Sequence, residues 1–266
     1  IMKKVRPNQS SFISRKTFTV PIIFLIAFLL FWEVAVYISG IESWILPAPS
    51  KVFVTLGDMY PLLLEHSLVT LTAAFAGLLT AILIAFILAV LIDFSPLLKK
   101  GVYPLLVVSQ TIPIVFIAPL LIIWFGYGIL PKIVVVTLVC FFPVVVSMVE
   151  GMESTDPEMV DLLKVMGATR AQIIKKVRIP GALPSLFAGL KIAGTYAVMG
   201  AVIGEWVGAS KGLGVFTMRA YYAYQLDRVF AGIIVISIVS LLIFALIEIL
   251  ARFIMPWYYS ERSGQK

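Results

Sequence analysis

The sequence has one cysteine and one histidine, and charged side chains make up only 13% of its 266 residues. A lone Cys140 cannot close an intrachain disulfide, and its place inside an apolar run is that of a small core residue. His66 has no Cys or His partner at ligand spacing, which leaves no metal centre to build around it. With neither a Ser-His-Asp nor a Cys-His set to assemble, the chain does not read as an enzyme. A phosphate loop of the form G-x-x-x-x-G-K followed by Ser or Thr is absent too, which excludes nucleotide hydrolysis of that type.

What the chain does have is apolar surface. It is 61% hydrophobic with a mean hydropathy of +1.05, well outside the range of soluble domains. A spanning helix needs about 20 apolar residues, so the length accommodates about six spans and no separate soluble domain. The net charge of +7 is scattered between apolar blocks. That excludes the basic stripe of a nucleic-acid binder and fits charge sorting across a membrane.

In chain order, a basic segment 1–18 with Lys3, Lys4, Arg6, Arg15 and Lys16 precedes a first span, Thr19 to Ile38, read as retained and not as a signal peptide. Glu33 inside it is expected to snorkel or to face the bundle. A mixed loop, Gly40 to His66, follows, with Pro47 and Pro49 preventing a continuous helix and Trp44 suited to a membrane interface. Spans two to four are expected at about Ser67 to Ile92, Val102 to Phe125 and Ile129 to Val149, with WFGYG (Trp124 to Gly128) as a tight turn. Pro113 and Pro119 would free carbonyls in span three, making it a candidate pathway wall. Span five, about Leu183 to Val207, carries small residues for close helix approach, among them Gly189, Ala193, Gly194, Gly200 and Ala201. Gly208 to Arg228 reads as a loop before span six, about Val229 to Ile254, and residues 256–266 as a tail. Glu33, Lys191, Glu205 and Glu248 lie near span ends or lack an obvious partner.

Six spans with both termini in the cytoplasm place fifteen of the 21 basic residues on the cytoplasmic side and five on the other, with Lys191 within a span. This orientation makes Glu150 to Pro184 cytoplasmic. That stretch holds five acids and five bases and is the one island of mixed charge. Asp156 before Pro157 is an N-cap followed by the favoured first-turn proline, and Glu158 suits the helix dipole. The first helix should run to about Met166 and end at Gly167 in a left-handed cap. Thr169 with Gln172 fits a capping box for a second helix, and Pro180 and Pro184 punctuate the entry to span five. Two short helices around a glycine turn result. They could serve as a docking surface for a soluble partner or as an interfacial hairpin joining two spans.

The order Asp161, Gly167, Val177, Ile179, Pro180 resembles the EAA loop of permease subunits of ATP-binding-cassette importers, with Asp161 in place of Glu and Leu162 and Leu163 in place of two alanines. Four blocks in order are similar to the nitrate, sulfonate, taurine and pyrimidine-precursor branch: ILPAPSKV from Ile45, PLLIIWFGYG from Pro119, the run from Gly167 to Lys191, and GEWVGASKGLGVF from Gly204. The resemblance implies an all-α, six-span, type I importer permease in a bacterial inner membrane. It implies a homodimer with two ATPase subunits and an extracytoplasmic substrate-binding protein, ATP and Mg residing on the ATPases and no cofactor on this chain. It also implies that Asp161, Leu162, Leu163, Lys164, Met166, Gly167, Ala168, Thr169 and Arg170 couple the loop to the ATPase.

Candidate pathway residues are Gln110 and Thr111 on span three and Thr195, Tyr196 and Met199 on span five. Thr195 to Ala209 and the Pro256-Trp257 ending look more like the thiamine-pyrimidine and riboflavin type than the sulfonate or taurine type. A secondary transporter or channel is the reading from another class, for which paired intramembrane charges or repeated halves would be the signal.

Overall fold

The computed structural model describes residues 13–259, with side chains from residue 19 onward, so Lys3, Lys4, Arg6, Arg262 and Lys266 lie outside the described residues, as do the side chains of Arg15 and Lys16. Twelve elements follow one another: α1 (Ile13–Ser39), α2 (Pro49–Asp58), α3 (Tyr60–Phe94), α4 (Pro96–Ser109), α5 (Ile114–Phe125), α6 (Leu130–Glu153), α7 (Pro157–Val165), α8 (Arg170–Ile173), a π turn (Ile174–Arg178), α9 (Ile179–Trp206), α10 (Leu213–Tyr222) and α11 (Leu226–Ile254). Among the described residues, five helices are long and apolar enough to cross a membrane, and the bent pair α4–α5 makes a sixth.

The core is the contact of α6 with α9, flanked by α3 and α11. Val136, Cys140, Val144 and Met148 of α6 pack with Ala193, Ala197 and Ala201 of α9 and with Ala74, Ala81 and Ala85 of α3. Small side chains bring the backbones close, as expected for span five. The Cys140 thiol, fully buried, donates to the Ala193 carbonyl at 3.2 Å. A smaller cluster, Val52, Leu63, Leu213, Phe216 and Ala231, ties α2, α3, α10 and α11 together. The first span is peripheral. Its large apolar residues are mostly exposed, and it meets the rest through Trp32 against Phe230 at 5.4 Å and through Glu33. The Glu33 carboxylate faces inward and accepts from the Ser50 amide at 2.9 Å and hydroxyl at 2.7 Å, capping the start of α2.

Four sequence expectations need correction. Span three is not one helix: α4 and α5 meet at 97° across Gln110 to Pro113. Pro113 supplies no N–H and forces the preceding residue out of the helical region, whereas Pro104 and Pro119 stay inside their helices. The segment Gly40 to His66 is not a mixed loop throughout, because Pro49 starts α2 at a first-turn position and α3 begins at Tyr60, ahead of Ser67. The segment Gly208 to Arg228 contains the buried helix α10. Finally, Pro180 and Pro184 do not separate the second loop helix from span five. Residues Arg170–Trp206 form one continuous span. The π turn, closed by the Ile179 amide on the Ile174 carbonyl, absorbs the missing proline donor.

Candidate functional site

The loop between α6 and α9 is built almost entirely from local signals. The Asp156 side chain accepts from the Glu158 amide at 2.9 Å and starts α7, with Pro157 in the first turn. The helix stops at Gly167, whose φ of +81° lies in the left-handed region that glycine enters without a Cβ penalty. The Gly167 amide donates to the Lys164 carbonyl and the Ala168 amide to the Leu163 carbonyl, both at 2.9 Å, which is a Schellman stop. Thr169 and Gln172 then form the reciprocal capping box of α8.

The nine residues expected to couple this loop to a partner fall on two faces. Leu162, Val165 and Met166 are 60%, 86% and 72% exposed, and Met159 is 53% exposed, so α7 presents a row of apolar side chains to the outside. Leu163 and Ala168 are half-buried, and of α7 only Val160 is buried against the bundle. Leu162 thus points outward and Leu163 partly inward. Asp161 pairs with Lys164 at 2.7 Å on the exposed surface. Arg170 turns the other way: it donates to the Asp93 carbonyl at 3.0 Å and lies 5.5 Å over the Phe94 ring.

The pathway candidates form two separate groups. Gln110 and Thr111 sit exposed at the α4–α5 break, where the Thr111 hydroxyl donates to the Val108 carbonyl at 2.8 Å and Ser109 to Leu106 at 2.7 Å. Local hydroxyls, not neighbouring helices, take up carbonyls near the break. On α9, Tyr196 and Met199 are 44% and 46% exposed and lie on one face with half-buried Thr195, whose hydroxyl bonds the Ile192 carbonyl. Among the described residues, no hydrogen bond joins the two groups.

Sequence reading missed two charged clusters because both are long-range. Lys191 of α9 and Glu248 of α11, for which the sequence offers no obvious partner, form an ion pair between helices, and Arg252 joins Glu248 at 3.0 Å. Glu205, near a span end and without an obvious partner in the sequence, is 1% exposed at the far end of α9. Its carboxylate accepts from the Thr70 hydroxyl at 2.9 Å and from the Gly214 amide at 2.8 Å, which caps α10 from a neighbouring helix. Thr70 in turn accepts from the Leu213 amide, and Nδ1 of His66 from the Gly212 amide, both at 2.9 Å. The buried Lys132, whose backbone packs against Gly204 next to Glu205, donates to the Lys211 carbonyl at 3.4 Å. Gly212, at φ +134°, has no room for a side chain, because a Cβ there would collide with the Glu205 carboxylate. The signal available in sequence was the GEWVGASKGLG block itself, with an acid and glycines close together.

A multi-span helical bundle with a bent span within it and an exposed loop helix at one end has the build of a membrane permease. Residues 77–256 match the family of binding-protein-dependent transport system inner membrane components, and the chain belongs to it. It is 36% identical over 238 residues to the formylaminopyrimidine transport permease protein ThiX of Halalkalibacterium halodurans, covering 89% of this chain and 95% of that protein. It is 33% identical over 235 residues to the riboflavin transport system permease protein RibX of Chloroflexus aurantiacus, covering 88% of each. Among solved structures, a chain of the inward-facing MetNI methionine ABC transporter superposes with a TM-score of 0.65 at 23% identity, over 73% of this chain and 97% of that one. The chain is therefore the multi-pass permease subunit of an ABC importer in the inner membrane, with the type I permease fold, and not itself an enzyme. Family membership decides against a secondary transporter or channel. ATPase and binding-protein partners follow from the family.

Proposed function

We propose that this permease imports a small planar heterocycle of the pyrimidine-precursor or riboflavin kind, driven by a separate ATPase that grips α7. The observation that carries the ATPase contact is the outward row Met159, Leu162, Val165 and Met166, held at a fixed angle by the Schellman stop at Gly167. An apolar helix face on an otherwise charged loop is the geometry of a helix seated in a partner groove. Two copies of the chain would pair, each binding one ATPase that holds ATP and Mg, with a binding protein on the opposite side. Charge sorting of the loops supports placing this loop and both termini in the cytoplasm. Gln110 and Thr111 at the break, and Thr195, Tyr196 and Met199 on the exposed face of α9, would line the path.

The substrate class rests on the two relatives named for formylaminopyrimidine and riboflavin. Proteoliposomes carrying the permease, its ATPase and its binding protein should accumulate one of these compounds only when ATP is supplied on the ATPase side. Accumulation of taurine instead would move the assignment to the sulfonate type. Flux through the permease alone would contradict ATP-driven import.

A further inference from the structure

Asp93 sits at the last turn of α3, where a negative charge opposes the helix dipole, and its side chain is only 4% exposed. Burying an acid there is stable only with a cation held against it, and Arg178 of the π turn forms that ion pair. Arg170, at the start of α8, binds the carbonyl of the same Asp93 and covers Phe94. One helix C-terminus is thus clamped by two arginines, one from each end of the segment that follows α7. Ser95, two residues beyond Asp93, caps α4. α4 buries none of its own residues fully, and it meets the loop end of the bundle through this corner and through the ion pair of Lys99 with Glu153 at 2.6 Å.

The clamp also has room to move. Cavities of about 370 and 450 Å³ share Asp93, Arg170 and Arg178 in their walls, one bounded by Val160, Lys164 and Ile173, the other by Pro96, Lys99 and Glu153. One carboxylate oxygen of Asp93 and the Nε of Arg178 are buried without a partner. An ion pair with unused donor and acceptor atoms, set between two cavities, has alternative pairings within reach.

We propose that Asp93 and Arg178 are a positioning pair through which the loop pulls on the α3–α4 corner, so that movement of the ATPase reaches the break at Gln110. The proposal rests on the reading of α7 as the ATPase contact. It assigns the bent span, and not the tightly packed α3–α6–α9 core, as the element the loop drives.

The test uses the permease–ATPase complex in proteoliposomes with Gln110→Cys as reporter, Cys140 being fully buried. The readout is the change in maleimide labelling rate on adding ATP and vanadate. Asp93→Asn should reduce that ATP-dependent change by about tenfold, within the usual range of coupling energies, while the ATPase still co-purifies and hydrolyses ATP. Exchanging the charges, Asp93→Arg with Arg178→Asp, should restore it. A full ATP response in Asp93→Asn, or loss of the ATPase from that variant, overturns the proposal. Should Asp93→Asn fail to insert, Arg178→Lys keeps the charge but loses the planar fork, and a full response there overturns the proposal equally. A reporter complex without further changes that carries no ATPase overturns the docking reading instead, before any clamp variant is made.

Discussion

Two carboxylates cap helices near opposite ends of α9, which at 28 residues is about 42 Å long. Asp156 caps α7 from its own chain position, on an exposed loop, by bonding an amide two residues on. Glu205 caps α10 from a different helix, in a fully buried knot that also engages α3 and lies beside Lys132 of α6. The first cap shapes a surface and leaves it free to meet something else. The second locks four helices together and leaves nothing exposed. The difference separates an open surface shaped by local caps from a buried joint held by long-range bonds.

The largest effect should come from breaking the buried end. Glu205→Ala leaves the buried Gly214 amide without its acceptor and the Thr70 hydroxyl with only the His66 carbonyl at 3.2 Å. A loss of about 1–3 kcal/mol is expected for the buried amide left unpaired. It would appear as a sharp fall in folded, monodisperse protein after detergent extraction, with Glu205→Gln in between because it keeps one acceptor. Transport and stability should fall together, and a stable but inactive Glu205→Ala would show that the knot is not a structural lock.

At the exposed end the two properties should separate. Gly167→Pro removes an amide that the Schellman stop uses and cannot adopt φ of +81°. We expect insertion and thermal stability near those of the unmodified protein, but ATP hydrolysis uncoupled from uptake; normal uptake in reconstituted vesicles would count against this. Gly167→Ala should be milder, costing about 1 kcal/mol locally, since no atom lies within 4 Å of a Cβ there. Asp156→Ala should be smaller still in its effect on the whole protein, about 1 kcal/mol of helix stability confined to α7. It is best read as faster amide exchange at Glu158. Asp161→Ala, which breaks a pair exposed at 69% and 61%, should leave stability unchanged.

The same contrast explains what could be read from the sequence. Asp156, Gly167, Thr169 and Gln172 act on residues within a few positions of themselves, so their caps and stop were legible one by one. Most span positions were legible from apolar runs, and the small residues of span five announced its close packing. Bonds between residues far apart were not legible. Nothing near Glu205 in the chain points to Thr70, and nothing near Lys191 points to Glu248. The break at Pro113 was half legible: its proline was visible, but Pro104 and Pro119 carry the same local signal and remain helical. Which proline bends a helix is decided by packing around it. The π turn was hidden for a related reason, because Pro180 looks like a helix breaker until a shifted hydrogen bond carries the helix past it, while Pro184 stays inside α9 as Pro104 and Pro119 do in their helices.

The central claim is that the outward face of α7 is where an ATPase holds this permease. Replacing Leu162, 60% exposed, by glutamate should leave the isolated permease folded, since the side chain has little contact with its own bundle. Co-purification with the ATPase measures the claim directly. A folded Leu162→Glu permease recovered without ATPase is the predicted result, and one that retains the ATPase at the level of the unmodified protein would contradict the account.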